Sequence, residues 1–339
     1  EDINEEWISD KTRYACDGLA KQRLDTPYIK YNGKFEKATW SEVFNIIKSR
    51  FKNSNKENIC GISGDLVNME TLYIFKEFFN KTLESNNVES RNKHTYLNPE
   101  KRENYLFNAK INGIEESDFI LLIGSNPRFE ATILNARIRK SYIQNKTKII
   151  SLSDVGDLTY PYEFLNGNTE TIKDIVEDKH EVSNLIKEAK KPLIIFGQSA
   201  LNSNSAKYIF ESFKSFLNKN NKINDEWNSL NIISENASTI GSFDLGLYQT
   251  KNGSNEVLKK LENNEFEIVY LLGQDNLKFN KKNEFIIYQG SHGDNGAEMA
   301  DIILPGAAYT EQNGYFTNLE GKLQKAHKAS YPPEEAKED

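Results

Sequence analysis

Short apolar runs alternate with helical stripes along most of the chain. The runs are four or five residues long, and the segments between them carry apolar residues at every third or fourth position, which is typical of buried strands separated by amphipathic helices. The predicted strands are residues 58–62, 119–123, 148–152, 193–196, 268–272 and 285–288. The predicted helices are residues 40–52, 66–81, 171–190, 206–216 and 257–261. This alternation predicts an α/β protein whose parallel sheets are covered on both faces.

Two helix starts carry sequence signals of their own. Thr39 and Glu42 have the spacing of a capping box, in which each residue satisfies the other's backbone N–H. A further helix is predicted after Asn126, with Asn126 as its cap, Pro127 at its first position and Glu130 in its first turn.

Other stretches are predicted to turn or to lack regular structure. Asn32-Gly33 lies between β-prone pieces and predicts a tight hairpin turn. Residues 80–101 and 218–225 are polar and rich in Asn, so we expect surface loops. Residues 293–321 are dotted with glycine and are expected to be irregular.

The length of 339 residues is enough for about two domains or one large α/β unit. We expect four consecutive segments: 1–57 with short strands and one helix, 58–155 as a first α/β subdomain, 156–305 as a second, and 306–339 as a glycine-dotted segment and tail. The chain starts with Glu rather than Met and shows no signal-peptide pattern, so a fragment of a longer protein is expected.

The charge pattern excludes several classes of function. The chain has 43 basic and 50 acidic residues, a net charge of −7, and no long block of one sign. A nucleic-acid footprint would need a basic stripe, and docking on anionic lipid would need a basic cluster. No apolar run approaches the 18 residues of a membrane-spanning helix.

The two cysteines, Cys16 and Cys60, are too few for a four-thiolate cluster or for paired CxxC zinc motifs. We interpret both as small buried hydrophobic residues.

Glycine stands at or next to the end of several predicted strands, at Gly61, Gly124, Gly197, Gly273 and Gly290. One interpretation is that glycine permits the tight turn into the next helix. The other is that these strand ends converge on a single crevice, where open α/β sheets bind ligands.

A basic cluster is the first candidate for chemistry. Arg128, Arg137, Arg139 and Lys140 surround the helix after residues 119–123, where a helix start with arginines could bind phosphate. An ion-paired helix face is the favoured interpretation.

Acid and base residues give weaker signals. His292 and Asp294 resemble an acid/base pair, but no GxSxG nucleophile accompanies them. Asp301, Glu311 and Glu320 are spaced too irregularly to predict a carboxylate pair. No GxGxxG or P-loop motif occurs. The residues alone therefore predict a large α/β protein without a convincing catalytic set.

Three longer stretches are more specific. They are WISDKTRY at 7–14 with DGL at 17–19 and QRL at 22–24; LLIGSNPRFE at 121–130 with LNARIRK at 134–140; and YQGSHGD at 288–294 with ADIILPGAAYTE at 300–311 and NLEG at 318–321. Together they closely resemble the large iron–sulfur subunit of respiratory complex I, the NADH:ubiquinone oxidoreductase. Residues 188–192 and 242–246 fit the same subunit in the same order.

The resemblance implies a fold and the loss of a cofactor. The corresponding region of that family is the carboxyl-terminal, molybdopterin-oxidoreductase-like domain, with several Rossmann-like parallel-sheet subdomains around a central crevice. It is understood to have lost its pterin. Iron–sulfur clusters are expected in an amino-terminal portion or in a partner chain. No cluster is expected in this segment. Lys322 stands where the family usually has Arg, which weakens an anion contact there. No catalytic, cofactor-binding or metal-binding residue is carried over.

The resemblance also implies a role. We expect a non-catalytic structural domain in the peripheral arm of a proton-translocating NADH:ubiquinone reductase, supporting electron transfer from NADH to ubiquinone. Its partners would be other peripheral-arm subunits, including the cluster-bearing portion, with residues 80–101 and 218–225 as candidate contacts and without nucleic acid or direct membrane insertion. The location would be the matrix side of the mitochondrial inner membrane, or the cytoplasmic face in a bacterium. The alternative is an active pterin-dependent oxidoreductase domain.

Overall fold

The computed structural model describes Ile3 and residues 5–339. The chain forms two compact units, each assembled from separate stretches of sequence. The first unit contains Glu1–Arg13, Thr95–Glu235 and Leu319–Lys322. The second unit contains Tyr14–His94, Asn236–Asn318 and Leu323–Asp339.

The strands are short. In chain order they are β1 (Tyr28–Tyr31), β2 (Lys34–Lys37), β3 (Ile59–Ser63), β4 (Val88–Glu89), β5 (Phe119–Ile123), β6 (Lys148–Ser151), β7 (Glu163–Phe164), β8 (Pro192–Phe196), β9 (Leu230–Ile232), β10 (Thr250–Lys251), β11 (Ser254–Asn255), β12 (Ile268–Leu272), β13 (Phe285–Gly290), β14 (Ile302–Pro305), β15 (Gly314–Thr317) and β16 (Leu323–Ala326).

The α-helices are α1 (Asp10–Tyr14), α2 (Trp40–Asn53), α3 (Met69–Glu77), α4 (Pro127–Glu130), α5 (Thr132–Asn145), α6 (Thr169–Val176), α7 (Glu181–Glu188), α8 (Gln198–Leu201), α9 (Ala206–Lys219), α10 (Thr239–Asp244), α11 (Glu256–Glu262) and α12 (Asn295–Met299). Short 3₁₀ turns cover Ala15–Ala20, Lys56–Asn58, Arg102–Asn104 and Asn112–Glu116, and a π-helical turn covers Phe78–Thr82.

Each unit is built around one sheet. In the first unit the strand order is β7-β6-β5-β8-β9, with every pair parallel. In the second unit the order is β2-β1-β14-β13-β12-β3-β4, in which β14 to β4 are parallel and the β1–β2 hairpin adds an antiparallel edge. The predicted α/β class with parallel sheets is confirmed.

Side chains of the central strands alternate between two apolar layers, because successive residues of a strand point to opposite faces. In β5, Leu121 packs with α6, α7 and α9, whereas Ile120 and Leu122 pack with α5. In β12, Tyr270 packs with α2 and α3, whereas Val269 and Leu271 pack with α11 and α12. Both sheets are therefore covered on both faces.

Several local predictions are confirmed. The Thr39 side chain accepts a hydrogen bond from the Glu42 N–H, and the Glu42 carboxylate accepts one from the Thr39 N–H. Asn32 and Gly33 both have positive φ and form the turn of the β1–β2 hairpin.

Asn126 is the N-cap residue of α4, with Pro127 at the first position and Glu130 in the first turn as predicted, but the Asn126 side chain makes no capping hydrogen bond. Its side chain donates to the carbonyl oxygen of Val155 at 3.0 Å, and the Glu130 carboxylate accepts its backbone N–H at 2.7 Å. The helix also stops at Ala131 and restarts as α5, because Ala131 has non-helical backbone angles.

Other boundaries differ for identifiable reasons. The helix predicted at 66–81 begins at Met69 because the Asn68 side chain caps it. The stretch 171–190 forms two helices, α6 and α7, since Asp178 adopts a left-handed backbone between them.

The region 293–321 is not irregular as predicted. It contains α12, β14 and β15, and its glycines allow close packing rather than disorder.

The expected division, with boundaries at residues 57, 155 and 305, consists of consecutive stretches of sequence. Each compact unit of the structure is instead made of three separate stretches. Strand pairing explains the difference. β3 pairs with β12, and β1 pairs with β14, so early and late parts of the chain share one sheet.

No helix within the described part of the chain is long and apolar enough to cross a membrane.

The approach of Gly64 to Gly273 gives a stability prediction. A Cβ on Gly64 would lie 1.7 Å from the carbonyl oxygen of Gly273, where no side chain can move aside. Gly64→Ala is therefore expected to lower the free energy of unfolding by about 3 kcal/mol or more, measured by urea denaturation. Gly18→Ala is the control, because nothing lies within 4 Å of the place that its methyl group would take. Equal stabilities for the two variants would contradict the close approach.

Candidate functional site

The second unit has a cavity where its parallel strands end. It has a volume of about 330 Å³ and lies at the carboxyl ends of β3, β12, β13 and β14. Its polar lining includes Asp65, Asp275, Asn276, Tyr288, His292 and Asp294. This is the edge of an open α/β sheet at which ligands commonly bind.

Tyr288 fills the space behind this cavity. A Cβ on Gly290 would lie 2.4 Å from the Tyr288 hydroxyl, and a Cβ on Gly296 would lie 2.5 Å from the Tyr288 ring. The hydroxyl donates to Asp275 at 3.0 Å, and the Gly296 N–H donates to the other Asp275 oxygen at 3.0 Å. The glycines therefore make room for a buried ring whose polar end is satisfied within the protein.

Burial raises the pKa of Asp275, and the N–H of Gly296 and the hydroxyl of Tyr288 oppose that shift. Burial together with the Asp275 carboxylate also raises the pKa of Tyr288. The pair is a hydrogen-bonded wall of the cavity.

His292 and Asp294, which resemble an acid/base pair in the sequence, make separate contacts. The His292 Nε2 donates to the carbonyl oxygen of Gly18 at 3.2 Å, and Nδ1 lies 2.8 Å from the Ser291 hydroxyl oxygen. Asp294 accepts the Asn295 N–H at 3.0 Å and caps α12. Each side chain is engaged in a local structural contact.

A bidentate ion pair beside the cavity is the strongest polar contact that the sequence reasoning missed. Both terminal nitrogens of Arg23 lie 2.5 Å from the Glu311 carboxylate oxygens, although the residues are 288 positions apart. Arg23 also donates to the carbonyl oxygens of Leu19 and Ser291, and Glu311 accepts the Ala308 N–H. The pair thus joins three segments at the edge of the cavity. The sequence offered one signal: Arg23 lies in QRL at 22–24 and Glu311 ends AYTE at 308–311, and both motifs belong to the stretches that carry the family resemblance.

Burial works to raise the pKa of Glu311, but the hydrogen bonds from Arg23 and the Ala308 N–H hold it below its ordinary value of 4.5. Glu311 is 4% exposed, so this carboxylate depends on those partners for its charge.

The basic cluster of the first unit is ion-paired, as the favoured interpretation expected. Arg137 is buried and lies 2.6 Å from the Glu115 carboxylate, and the Lys140 ammonium lies 3.1 Å from the same carboxylate. Arg128 binds Asp157 at 2.8 Å, and Arg139 donates to the carbonyl oxygen of Thr159. Arg137 and Lys140 share the Glu115 carboxylate, while Arg128 and Arg139 bind other groups, so the four cations hold neighbouring segments and do not form one anion site.

The carboxyl edge of the first unit's sheet contains a carboxylate of the chain itself. Glu130 is half-buried and accepts the Asn126 N–H at 2.7 Å, with the Ser125 hydroxyl 3.5 Å away. Burial raises the pKa of Glu130, and the backbone N–H groups of Asn126 and Gln198 oppose that shift. These are donors of the kind that hold a phosphate in nucleotide-binding α/β proteins.

The remaining candidate carboxylates lie apart. Asp301 accepts from Lys281 at 2.7 Å and from the Ile286 N–H at 2.8 Å. Glu320 belongs to the first unit and accepts the Ile111 N–H at 3.0 Å. Lys322 is exposed at the end of the same segment.

The two cysteines differ. Cys60 is fully buried in β3, and burial raises the pKa of its thiol well above the ordinary value. The prediction for Cys16 is wrong, because that residue is exposed in a 3₁₀ turn.

The five strand-end glycines belong to two sheets. Gly124 and Gly197 pack at the strand ends of the first unit. Gly273 and Gly290 do so in the second unit, but Gly61 lies inside β3, where its Cβ would meet the Phe79 ring at 2.6 Å. The tight-turn interpretation applies to Gly124 and Gly273, which have positive φ, whereas Gly197 and Gly290 are crowded by neighbouring atoms that leave no room for a side chain.

The comparisons with known proteins define the class first. The molybdopterin oxidoreductase family matches residues 23–339, and the NADH-ubiquinone oxidoreductase NDSU1/NuoG-like 4Fe-4S domain matches residues 1–17. Acetylene hydratase from Pelobacter acetylenicus has the same fold, with a TM-score of 0.51 and 13% identity over 98% of this chain and 62% of its own. The chain belongs to the molybdopterin oxidoreductase family.

Its curated relatives are more specific. The chain is 40% identical to the NADH-ubiquinone oxidoreductase 75 kDa subunit of Reclinomonas americana and 41% identical to an NADH-quinone oxidoreductase subunit of Rickettsia bellii, over 100% of this chain in both cases. It is 40% identical to the mitochondrial 78 kDa subunit of Candida albicans. The chain spans about half the length of these relatives, namely 51%, 48% and 46%. The resemblance to the large complex I subunit is confirmed.

The residues at the strand ends do not fit a pterin cofactor. Such a cofactor carries phosphate, which needs cations or free N–H donors. The charged residues that line the second unit's cavity are aspartates and His292, and the described lining contains no Lys or Arg. In the first unit, Glu130 already takes the Asn126 N–H. Both edges thus present carboxylates to a group that is itself anionic.

The Arg23–Glu311 pair gives a pH-dependent prediction. Because the folded pKa of Glu311 is lowered, its stabilisation is present above the ordinary value of 4.5 and is lost as the pH falls through the folded value. Glu311→Gln is expected to lower the free energy of unfolding by about 3 kcal/mol near neutral pH. The difference from the parent chain should shrink near pH 3.

Urea denaturation at the two pH values measures this effect. Glu84→Gln is the control, because Glu84 is exposed and pairs with the equally exposed Lys56, so its loss should change little at either pH. A deficit for Glu311→Gln that is the same at both pH values would show that the ion pair is not its cause.

Proposed function

We propose that this chain is the non-catalytic structural domain of the large iron–sulfur subunit of an NADH-quinone oxidoreductase, complex I. The observation that carries the proposal is the identity of 40–41% with subunits of that enzyme along the entire chain. The domain would belong to the peripheral arm and support electron transfer from NADH to ubiquinone. The reaction, including proton translocation, would belong to the whole enzyme.

The domain would hold no cofactor of its own and contribute no catalytic, cofactor-binding or metal-binding residue. The carboxylates at both strand edges support this proposal, because they oppose a phosphate-bearing cofactor. The described residues also contain no group of three His, Cys, Asp or Glu side chains that could hold a metal ion. The iron–sulfur clusters would lie in an amino-terminal portion or a partner chain.

The first unit offers a surface for that cluster-bearing portion. The segment 1–17 matches the 4Fe-4S domain, and within it Trp7 and Ile8 are 66% and 54% exposed. They line one cleft with Phe129, which is 64% exposed, and the Lys11 ammonium donates to the Phe129 carbonyl oxygen at 2.8 Å. Large exposed aromatic side chains of this kind are typical of an interface.

The location would follow from the enzyme. The relatives include mitochondrial and bacterial subunits, so the domain would face the mitochondrial matrix at the inner membrane, or the cytoplasm in a bacterium. The expectation that 80–101 is a surface loop is wrong, because Val88–Glu89 forms β4 and Ser85, Asn87 and Arg91 are buried. Exposed positions of 80–101 and of 218–225 remain proposed contacts with neighbouring subunits.

The second candidate function is an active pterin-dependent oxidoreductase. The match to the molybdopterin oxidoreductase family favours it. The acidic lining of the strand-end cavity opposes it.

One experiment separates the two functions. Membranes are solubilised gently and resolved on a native gel, and peptide mass spectrometry identifies the band that contains this chain. We expect a band of megadalton scale with NADH dehydrogenase activity and no stoichiometric molybdenum. A small species that contains molybdenum and releases a pterin fluorophore on denaturation would establish the second function instead.

The aromatic surface can be tested in the same extract. Trp7→Ala combined with Phe129→Ala is expected to reduce the fraction of the chain in the large assembly about tenfold or more, since aromatic anchors at an interface contribute about 2 kcal/mol each. Ile143→Ala is the control, because Ile143 is also exposed on the first unit but lies outside the cleft. Full assembly of the double variant would exclude this surface as the contact.

A further inference from the structure

One face of the second unit's sheet is covered by α2 and α3. Between α2 and α3 an open groove of about 830 Å³ reaches down to the strands. Its floor is formed by Ile59, Tyr270, Leu272 and Leu304, which lie on one face of the sheet. These floor residues are only 2–9% exposed, so the exposed apolar surface of the groove belongs to its walls.

The walls of the groove are apolar and in part exposed. α2 contributes Phe44 and Phe51, and α3 with the π-helical turn contributes Ile74 and Phe78. Phe44 is 51% exposed and Ile74 is 64% exposed. A surface of this composition indicates a contact with another protein segment rather than with water.

The π-helical turn Phe78–Thr82 forms part of one wall. π-Helical turns are rare and are frequent at functional sites, because the wider turn shifts the side chains that follow it.

The charge along one edge of the groove is unbalanced. Lys48 and Lys52 are exposed and one turn apart on α2, and neither has a hydrogen-bond or ion-pair partner among the described residues. Lys56 continues the row and pairs with Glu84. On the opposite edge, the Glu70 carboxylate accepts a hydrogen bond from the Tyr315 N–H and is therefore engaged within the second unit. Asp339 also lines the groove, and its carboxylate accepts hydrogen bonds from the side-chain amides of Gln289 and Gln312. Both carboxylates of the lining are therefore engaged within the unit, and the unpaired charges are those of Lys48 and Lys52, in a chain whose net charge is −7.

We propose that this groove binds an amphipathic helix from another subunit of the same assembly. The apolar face of that helix packs on the floor and walls, and a row of Asp or Glu side chains along one edge pairs with Lys48 and Lys52. Helices bind apolar grooves in this way, with anchors at positions i, i+3, i+4 and i+7. The proposal rests on the proposed function in that it takes the chain to be part of a larger assembly.

A photocrosslink in the intact assembly tests the proposal. Ile74 is replaced by benzoylphenylalanine in the full chain, the assembly is purified and irradiated, and the cross-linked peptide is sequenced by mass spectrometry. We expect a cross-link to a helical segment of a different polypeptide that has an apolar stripe flanked by carboxylates. Tyr73 is the matched control position, because it is 50% exposed on the same helix but does not line the groove.

Other outcomes of the cross-link overturn the proposal. These are a product with a second copy of this chain, with another part of the same polypeptide, with lipid, or with a segment that lacks acidic residues, and the absence of any product. The native gel reports separately whether the chain is in the assembly, so a failure of the groove is distinguishable from a failure of the proposed function.

A charge reversal tests the lysine edge. Lys48→Glu combined with Lys52→Glu is expected to lower the yield of the Ile74 cross-link at least tenfold. The control is Lys34→Glu combined with Lys325→Glu, which makes the same charge change at exposed positions outside the groove. An unchanged yield in the first variant would show that the acidic edge of the partner is not recognised there.

Discussion

A parallel strand must be covered on both faces, and this constraint organises the whole chain. Each sheet divides its side chains between two apolar layers, and helices cover each layer. In the groove between α2 and α3 the floor residues meet this requirement and are buried, whereas Phe44 and Ile74 of the walls stay exposed. The compactness of the units follows from the requirement, and the exposed walls are the basis of the proposed docking groove.

The strand ends of both units combine close backbone turns with carboxylates of the chain itself. Glycines allow the close turns, as at Gly64 and Gly273. The polar groups around those turns, however, are satisfied from within the protein: Glu130 takes a backbone N–H in the first unit, and Asp275 takes one in the second. When the backbone N–H donors of a site are already bound by carboxylates of the same chain, those contacts stabilise the fold and leave no free donor for an anionic ligand.

The sequence predicted what depends on neighbouring residues. The apolar runs of the central strands and the capping box of Thr39 and Glu42 depend on local periodicity and spacing, and the structure confirms them. It did not predict the exposed position of Cys16, the role of Glu130 in place of an Asn126 side-chain cap, or the regular structure within 293–321. These depend on which side chain of a distant segment is near, and local pattern carries no such information.

The candidate site was predictable only through the resemblance. Arg23 and Glu311 lie in separate specific stretches, but nothing in their spacing indicates that they form a bidentate pair. The family and its fold could be read from those stretches. The contacts that the residues in those stretches make could be identified only from the three-dimensional structure.

The discontinuous second unit has a consequence for synthesis. Asn58 and Glu267 are hydrogen-bonded neighbours beside β3 and β12, yet they are 209 residues apart. At about 5–20 residues per second, the ribosome needs roughly 10–40 s to deliver the second strand after the first. During that interval the first unit's sheet can form, because its strands end at Ile232. Meanwhile β3 has only the two-residue strand β4 as a parallel neighbour, and its other edge stays unpaired until Leu272 has been made. An unpaired strand edge of this kind exposes the nascent chain to aggregation.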